Sequence, residues 1–420
     1  MPKKVSKSEV NEAIDALNKV RKNWLKAPGV TAVDVGYKLK ENEITDELAL
    51  RVHVKRKLPL EALESYERFS ISGDPEKIGK FRVDVIEAEY GPAMMGPFVL
   101  QEAAEVSPRS RVDPLVGGVS VANARVTAGT LGAIVWDRTD GRPCILSNWH
   151  VLCGSAACQA GEPIYQPGRL DGGSALDTVA TLKRWLLGGE ADAALAELNG
   201  ARAHTRDLLG LDPITGIEQS PTIGTSVIKS GRTTGITEGI IDGLSMSVSI
   251  NYGDAGVQSF HDQIRIVPHP PWPATDYEVS KGGDSGSVWL NKDNGKAVGL
   301  HFAGETDSSP SAELAIANPM VKLAELLNFS ITPIFRPPPP IDENRLREIL
   351  RRILARRFPW GTGPAVQSMT MVPGQPPAPP AYPGLPPSAP GIQALEGPAL
   401  TPLNIEGLLD EIMAELHRGG

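Results

Sequence analysis

The chain has 420 residues, with 42 Lys or Arg against 50 Asp or Glu and a formal net charge of −8. That length admits two or three domains with a sizeable core, and the acidic balance argues against general nucleic-acid binding, which needs a basic face. The opening MPKKVSKSEV has no apolar core of a signal peptide, no apolar run approaches the roughly 18 residues that span a bilayer, and Cys144, Cys153 and Cys158 are too few for a disulfide scaffold, so a soluble cytoplasmic protein is expected.

The first block, residues 1–91, opens with a helix: Val10, Ala13, Ile14, Leu17, Val20 and Trp24 recur at helical spacing, and Ser6 with Glu9 has capping-box spacing. PGV breaks it. TAVDVGYKL and LALRVHVKRKL alternate apolar with polar around KENEIT and predict two strands, LEALESY predicts a short helix, and KFRVDVIEAEY another strand. Together they predict a small α+β domain with nothing catalytic in it. His53, among basic residues, reads as part of a solvated strand face. Residues 92–111 form a linker.

From 112 to 330 the texture changes. Runs such as VGGVSVA, GTLGAIVWD, CILSNWHVL, TVATLKRWL, TSVIKSG, GLSMSVSINYG, DQIRIV, SVWL and AVGLHFAG alternate with Gly- and Asp-rich turns. Short strands at this spacing point to antiparallel barrels or sandwiches, and the length allows two. NPMVKLAELLNF closes the block as a helix with Pro319 in its first turn. The third block is low in complexity: a basic amphipathic helix over 331–358, a Pro-rich linker over 359–402, and an acidic helix over 403–420. The two helices either pair with each other or dock separately on the body or a partner. The Arg-rich face offers itself to an anionic surface, but the acidic helix is its internal counterpart, so no nucleic-acid or membrane partner is expected.

Three features carry chemistry. GGDSGS places Ser285 among small residues that let the chain turn tightly, with the amides of Gly283 and Ser285 able to point one way. In CILSNWHVLCG an apolar strand delivers His150 at its end. In GGEADAALAEL, Asp192 starts an apolar run, either buried where it orients an imidazole or at the N-terminus of an amphipathic helix. Acyl transfer through serine needs a base, an acid that holds the base, and amide donors for the oxyanion. The order His150, Asp192, Ser285 excludes the α/β-hydrolase arrangement, which also needs a glycine where Ser287 stands. It belongs to a double-barrel arrangement, base and acid on the first barrel and nucleophile on the second.

Residues 112–330 resemble the chymotrypsin-like serine peptidases, and more narrowly a bacterial cytoplasmic-type group, through PLVGGVSVA, AGTLGAIV, ILSNWHVL, PIYQPGRLDGG, ADAALA, KSGRTTG and GGDSGS; VGYK and ITDELALRVHVKRKLP resemble the small domain that precedes the peptidase in that group. The resemblance implies a mainly β protein with a double antiparallel barrel, a small N-terminal α+β domain and a Pro-rich, partly helical tail. It implies His150 as general base, Asp192 as its orienting acid, Ser285 as nucleophile, and the Gly283 and Ser285 amides as oxyanion hole. A substrate pocket would involve Val279, Ser280, His301, Phe302 and Gly304. Val279 stands where enzymes preferring basic residues carry an acid, and His301 where glutamate-preferring relatives carry a histidine, so the first subsite is expected to favour apolar or acidic groups. LVGG resembles the amine-bearing terminus of secreted zymogens, but freeing Leu115 requires a cut after Pro114, and Asp284 is expected to take internal hydrogen bonds instead. SGRTTG, with Arg232, reads as a structural turn. No metal or nucleotide motif is present, so no cofactor is expected. The expected function is a serine endopeptidase that processes a partner protein. The alternatives are a non-catalytic scaffold of the same fold, recruiting partners through its tail, and an esterase using the same residues.

Overall fold

The computed structural model describes residues 4–40, 43–58, 77–92, 107–269, 278–305 and 313–334, together with positions 348 and 352. Two compact units divide the chain, Met1–Phe335 and Arg336–Gly420. In the second, Glu348 and Arg352 are helical and the Arg352 guanidinium donates to Glu348 at 2.6 Å. The rest of the predicted tail helices, the Pro-rich linker and LEALESY lie outside the described residues.

The first helix, Lys7–Trp24, starts where Ser6 Oγ accepts the Glu9 amide at 3.2 Å. Its buried stripe of Val10, Ala13, Leu17, Val20 and Trp24 packs on Val33, Val35, Tyr37, Leu50 and Val52. These alternate along the antiparallel strands Val30–Lys40 and Glu43–Val54, so one face of the sheet meets the helix. Phe81–Glu87 adds a parallel strand beyond Glu43–Val54.

The other face of this layer is not solvated. Val30–Lys40 also pairs antiparallel with the 17-residue strand Gly235–Asn251, with Val33 opposite Ser247 and Gly36 opposite Gly243. Against that strand lies a buried charge network. The Arg51 guanidinium donates to Asp34 Oδ1 at 2.7 Å and to Asp242 Oδ2 at 2.7 Å, and Arg265 pairs with the same Asp242 oxygen. A Cβ on Gly36 would lie 2.1 Å from Arg51 Cζ, so glycine at this position makes room for the guanidinium. The solvated-face expectation for His53 is therefore corrected. The residue is fully buried, its Nε2 is 3.1 Å from Asp34 Oδ1, and its Nδ1 is 2.5 Å from the Tyr90 hydroxyl. Alternation predicted that one face is buried and the other wet, but here both faces are covered.

Gly235–Asn251 belongs at once to a closed barrel. The antiparallel ring runs Ser226–Gly231, Val288–Asn291, Lys296–Glu305, Ala315–Pro319, Val257–Val267, Gly235–Asn251 and back to Ser226–Gly231. A second sheet runs Ala133–Asp137, Pro143–Ser147, Ala191–Leu198, Thr178–Gly188, Pro163–Tyr165, Ser120–Asn123, Gly129–Thr130. Its last and first segments are separated only by Leu131 and Gly132, so a bent stretch of chain serves both edges and curls this sheet too into a barrel. Each is filled by alternating inward side chains, such as Val121, Ile145, Ile164 and Val179 in one and Val227, Ile241, Ile266 and Trp289 in the other. The helix Met320–Leu326 follows Pro319, as predicted, and returns the chain to the first sheet. The molecule is thus mainly β, and its barrel sheets are consistent with a chymotrypsin-like fold. No helix among the described residues is long and apolar enough to cross a membrane.

Candidate active site

His150 sits in a single helical turn, Trp149–Leu152, directly after the strand Pro143–Ser147. That strand pairs with Ala191–Leu198 so that Ser147 opposes Ala194. Carrying the antiparallel register two residues further sets Asp192 against Trp149 and His150. Asp192 is therefore on a strand, and the helical alternative for its segment is not observed. Its carboxylate is fully buried. Oδ1 accepts the amides of Trp149 at 2.7 Å and His150 at 3.3 Å, while Oδ2 lies 2.5 Å from His150 Nδ1.

Three further residues complete the setting of Asp192. Tyr252 donates its hydroxyl to Oδ2 at 2.6 Å, and burial followed by the Asp192 charge holds that phenol well above its ordinary value, so it remains a donor. Asn148 and Asn318 donate side-chain amides to the Asp192 carbonyl at 2.8 and 3.1 Å, and Asn318 Oδ1 accepts the Asp192 amide. None of the three was anticipated. Asn148 could have been found as the residue that starts the His150 turn, whereas Tyr252 and Asn318 are distant in sequence and carry no local signal. The His150 side chain is 9 % exposed, and its Nε2 has no hydrogen-bond partner among the described residues.

Ser285 lies on the second barrel, where its loop meets the first. Thr130 and Ser147, from the first barrel, grip its loop: the Thr130 amide donates to the Ser285 carbonyl at 2.8 Å, Thr130 Oγ1 donates to the Gly283 carbonyl at 2.8 Å, and Ser147 Oγ donates to the Thr130 carbonyl at 2.7 Å. Gly283 and Gly286 have φ of 98° and 95°, where a side chain is strained. A Cβ on Gly286 would also lie 2.2 Å from Ser147 Oγ. The Gly282 carbonyl is held by Thr233 Oγ1 at 2.9 Å and the Asp284 carbonyl by the Ser287 amide at 2.9 Å. In a trans peptide N–H and C=O point oppositely, so pinning these two carbonyls turns the Gly283 and Ser285 amides away from them.

Asp284, fully buried, takes the internal bonds expected of it. It accepts from the Thr233, Thr234 and Lys281 amides at 2.8, 3.1 and 2.9 Å and from Thr234 Oγ1 at 2.6 Å, and Lys229 Nζ lies 3.4 Å from it. Burial pushes this carboxyl up, but Lys229, the hydroxyl and the amides outweigh it and hold it below its ordinary value. Leu115 is buried, and its amide donates to the Ala203 carbonyl at 2.8 Å. Arg232 donates from Nε to Asp171 Oδ2 at 2.8 Å, a buried bidentate pair that links the turn beside Gly283 to the first barrel.

The predicted pocket residues differ in setting. Val279 is fully buried, and its carbonyl accepts Thr237 Oγ1 at 2.7 Å. Ser280 is nearly buried, with Oγ 3.9 Å from where a Cβ on Gly304 would lie. Phe302 packs on Phe260 with ring centroids 5.0 Å apart. His301 meets Trp289 edge-on at 6.5 Å; it is fully buried, and neither ring nitrogen has a partner among the described residues. Burial, then the Lys229 charge, pushes its imidazole down to about 3, so it is neutral near pH 7. The three cysteines are buried and unpaired, and burial pushes the Cys144 thiol up to about 12.

No protein-family model matches the chain, and no curated protein matches it in sequence. Solved structures do. Thermobifida fusca protease A is 20 % identical over 51 % of this chain and 96 % of its own, with a TM-score of 0.37. A glutamic acid-specific serine protease described as using a histidine triad in substrate binding is 20 % identical over 52 % of this chain and all of its own, at 0.38. The chymotrypsin of Cellulomonas bogoriensis is 18 % identical over 52 % and 98 %, at 0.37. These structural neighbours are serine proteases of the chymotrypsin-like fold.

Proposed function

We propose that the protein is a serine endopeptidase that works through His150, Asp192 and Ser285. The observation that carries the proposal is the histidine: Asp192 Oδ2 holds Nδ1 at 2.5 Å while Nε2, itself buried, has no hydrogen-bond partner among the described residues. An imidazole fixed in this way has its other nitrogen ready for a proton. Ser285 Oγ attacks the peptide carbonyl and His150 Nε2 takes its proton, and Asp192 stabilises the imidazolium. The Gly283 and Ser285 amides receive the oxyanion. His150 then passes the proton to the leaving amine and activates water to release the acyl group. Lys229 serves Asp284 as the internal cation, so the turn needs no newly cut terminus.

The first subsite is uncharged on this reading: Val279 is apolar and His301 is neutral, which favours an uncharged substrate side chain. The physiological target is a partner protein rather than bulk peptide, and the tail helices recruit that partner or a second copy of the chain. A fluorophosphonate probe tests the proposal. Labelling of Ser285, located by mass spectrometry and lost in Ser285→Ala and His150→Ala, is the expected result, and peptide and ester substrates then separate peptidase from esterase. A folded chain that stays unlabelled with and without residues 336–420 overturns the proposal in favour of the scaffold reading.

A further inference from the structure

The strand Lys296–Glu305 passes directly beside the Ser285 loop. The Gly286 amide donates to the His301 carbonyl at 2.9 Å, and the His301 amide donates to the Ser287 carbonyl at 2.8 Å. On one edge this strand is covered by Ala315–Pro319 as far as Gly304. On the other, Val288–Asn291 pairs only up to Leu300. Beyond His301 that second edge would be bare backbone leading away from Ser285. Such an edge binds an extended peptide by adding it as a strand, because unpaired N–H and C=O groups seek partners.

That edge is already filled. Tyr90–Pro92 pairs with it antiparallel, with Tyr90 opposite Glu305, Gly91 opposite Gly304 and Pro92 opposite Ala303. Ascending the segment means descending the strand toward His301, so its direction leads to Ser285. The segment is anchored from behind. The Tyr90 hydroxyl lies 2.5 Å from His53 Nδ1 in the buried charge network. Just upstream, the Ala88 amide donates to the Val54 carbonyl at 2.9 Å and the Ala88 carbonyl accepts Thr31 Oγ1 at 2.8 Å.

We propose that Tyr90–Pro92 is the intramolecular occupant of the edge Ala303–Glu305, on which an extended peptide would lie, so that the N-terminal layer closes that edge to peptides. The edge rests on the reading of Ser285 as nucleophile; the occupancy rests on the register alone. A tethered occupant competes at an effective concentration on the order of millimolar. It weakens the apparent affinity of any free peptide by the fraction of time the edge is vacant.

The test uses the full chain and the Gly91→Pro variant, in which proline's fixed φ and missing N–H oppose strand pairing. Hydrogen exchange over residues 302–305 is expected to speed up in the variant. It should slow again when a synthetic peptide, IEAEYGP-amide, copying residues 86–92, is added. Hydrolysis of a mixed peptide library is expected to rise tenfold or more, while fluorophosphonate labelling of Ser285 changes less than twofold. Should the variant not fold, Tyr90→Phe, which removes the bond to His53 and leaves the backbone intact, moves the same readouts the same way by twofold to fivefold. Unchanged exchange over 302–305 in a folded variant overturns the proposal, as does labelling at the wild-type rate without a gain in peptide hydrolysis. Absence of labelling in both proteins instead overturns the nucleophile assignment, and the exchange experiment then still decides whether the edge accepts a strand.

Discussion

Replacing Lys229 with Met tests the buried pair behind the nucleophile. Both side chains are fully buried, and among the described residues Lys229 is the cation paired with Asp284. Removing one partner of such a pair leaves an uncompensated charge, a loss of about 3–5 kcal/mol. The Thr233, Thr234 and Lys281 donors remain, which places the expected loss near the lower figure, about 3 kcal/mol at pH 8. For a folded unit of this size that corresponds to a fall in Tm of roughly 4–5 °C. The pH dependence has a definite sign. In the wild type the Asp284 carboxyl is held below its ordinary 3.8, so its contribution is present above that pH and is lost only as pH falls through the lowered value. Without Lys229 the first of the causes that lower the carboxyl is gone while burial still raises it, so its value moves up and the variant takes up a proton at a higher pH than the wild type does. The deficit is therefore largest at pH 8 and smaller at pH 5. Differential scanning calorimetry at both pH values, with fluorophosphonate labelling in parallel, measures it, and labelling should slow at least tenfold as the 281–284 turn loosens. Equal deficits at the two pH values together with labelling within twofold of wild type would refute the reasoning.

Tyr252→Phe removes a donor from Asp192 Oδ2 and should slow labelling of Ser285 about tenfold, or ~1.4 kcal/mol, in a chain that still folds; a wild-type rate removes Tyr252 from the positioning of His150. His301 makes the fold acid-sensitive. Its folded value is lowered from 6.5 to about 3, so between those limits the unfolded chain binds a proton that the folded one does not, and stability falls as pH drops through that window. His301→Leu should flatten this fall, read as denaturation midpoints at pH 7, 5 and 4; an unchanged slope assigns the acid sensitivity to other groups.

The parts of the site written in contiguous residues were legible in the sequence. GGDSGS and ILSNWH spell out their own turns, since small residues and a strand end are local signals. Asp192 was legible as a candidate but not as a conformation, because an apolar run suits strand and helix alike and the pairing of Ser147 with Ala194 decides between them. Lys229, Tyr252 and Asn318 were not legible, since each acts on a residue more than fifty positions away and its own neighbourhood shows only strand or turn composition. His53 was misread for the same reason. Basic neighbours suggest water, but its ring is enclosed by Tyr90 and Asp34, within a charge network that Asp242, some two hundred residues later in the chain, completes.

The shared strand Gly235–Asn251 also orders events during synthesis. Val33 and its partner Ser247 are about 210 residues apart, which at ribosomal rates of about 5–20 residues per second is a delay of roughly 10–40 s. Throughout that interval the hairpin Val30–Lys40 and Glu43–Val54 has an unpaired edge, and Asp34 and Arg51 await Asp242. An open edge next to a half-built charge cluster is the species that chaperones hold and that strays into pairing with other chains. Slowing elongation before residue 235 lengthens this exposure, and speeding it shortens it. The yield of folded protein is thus tied to translation speed over a stretch of message that encodes neither the N-terminal layer nor its partner strand.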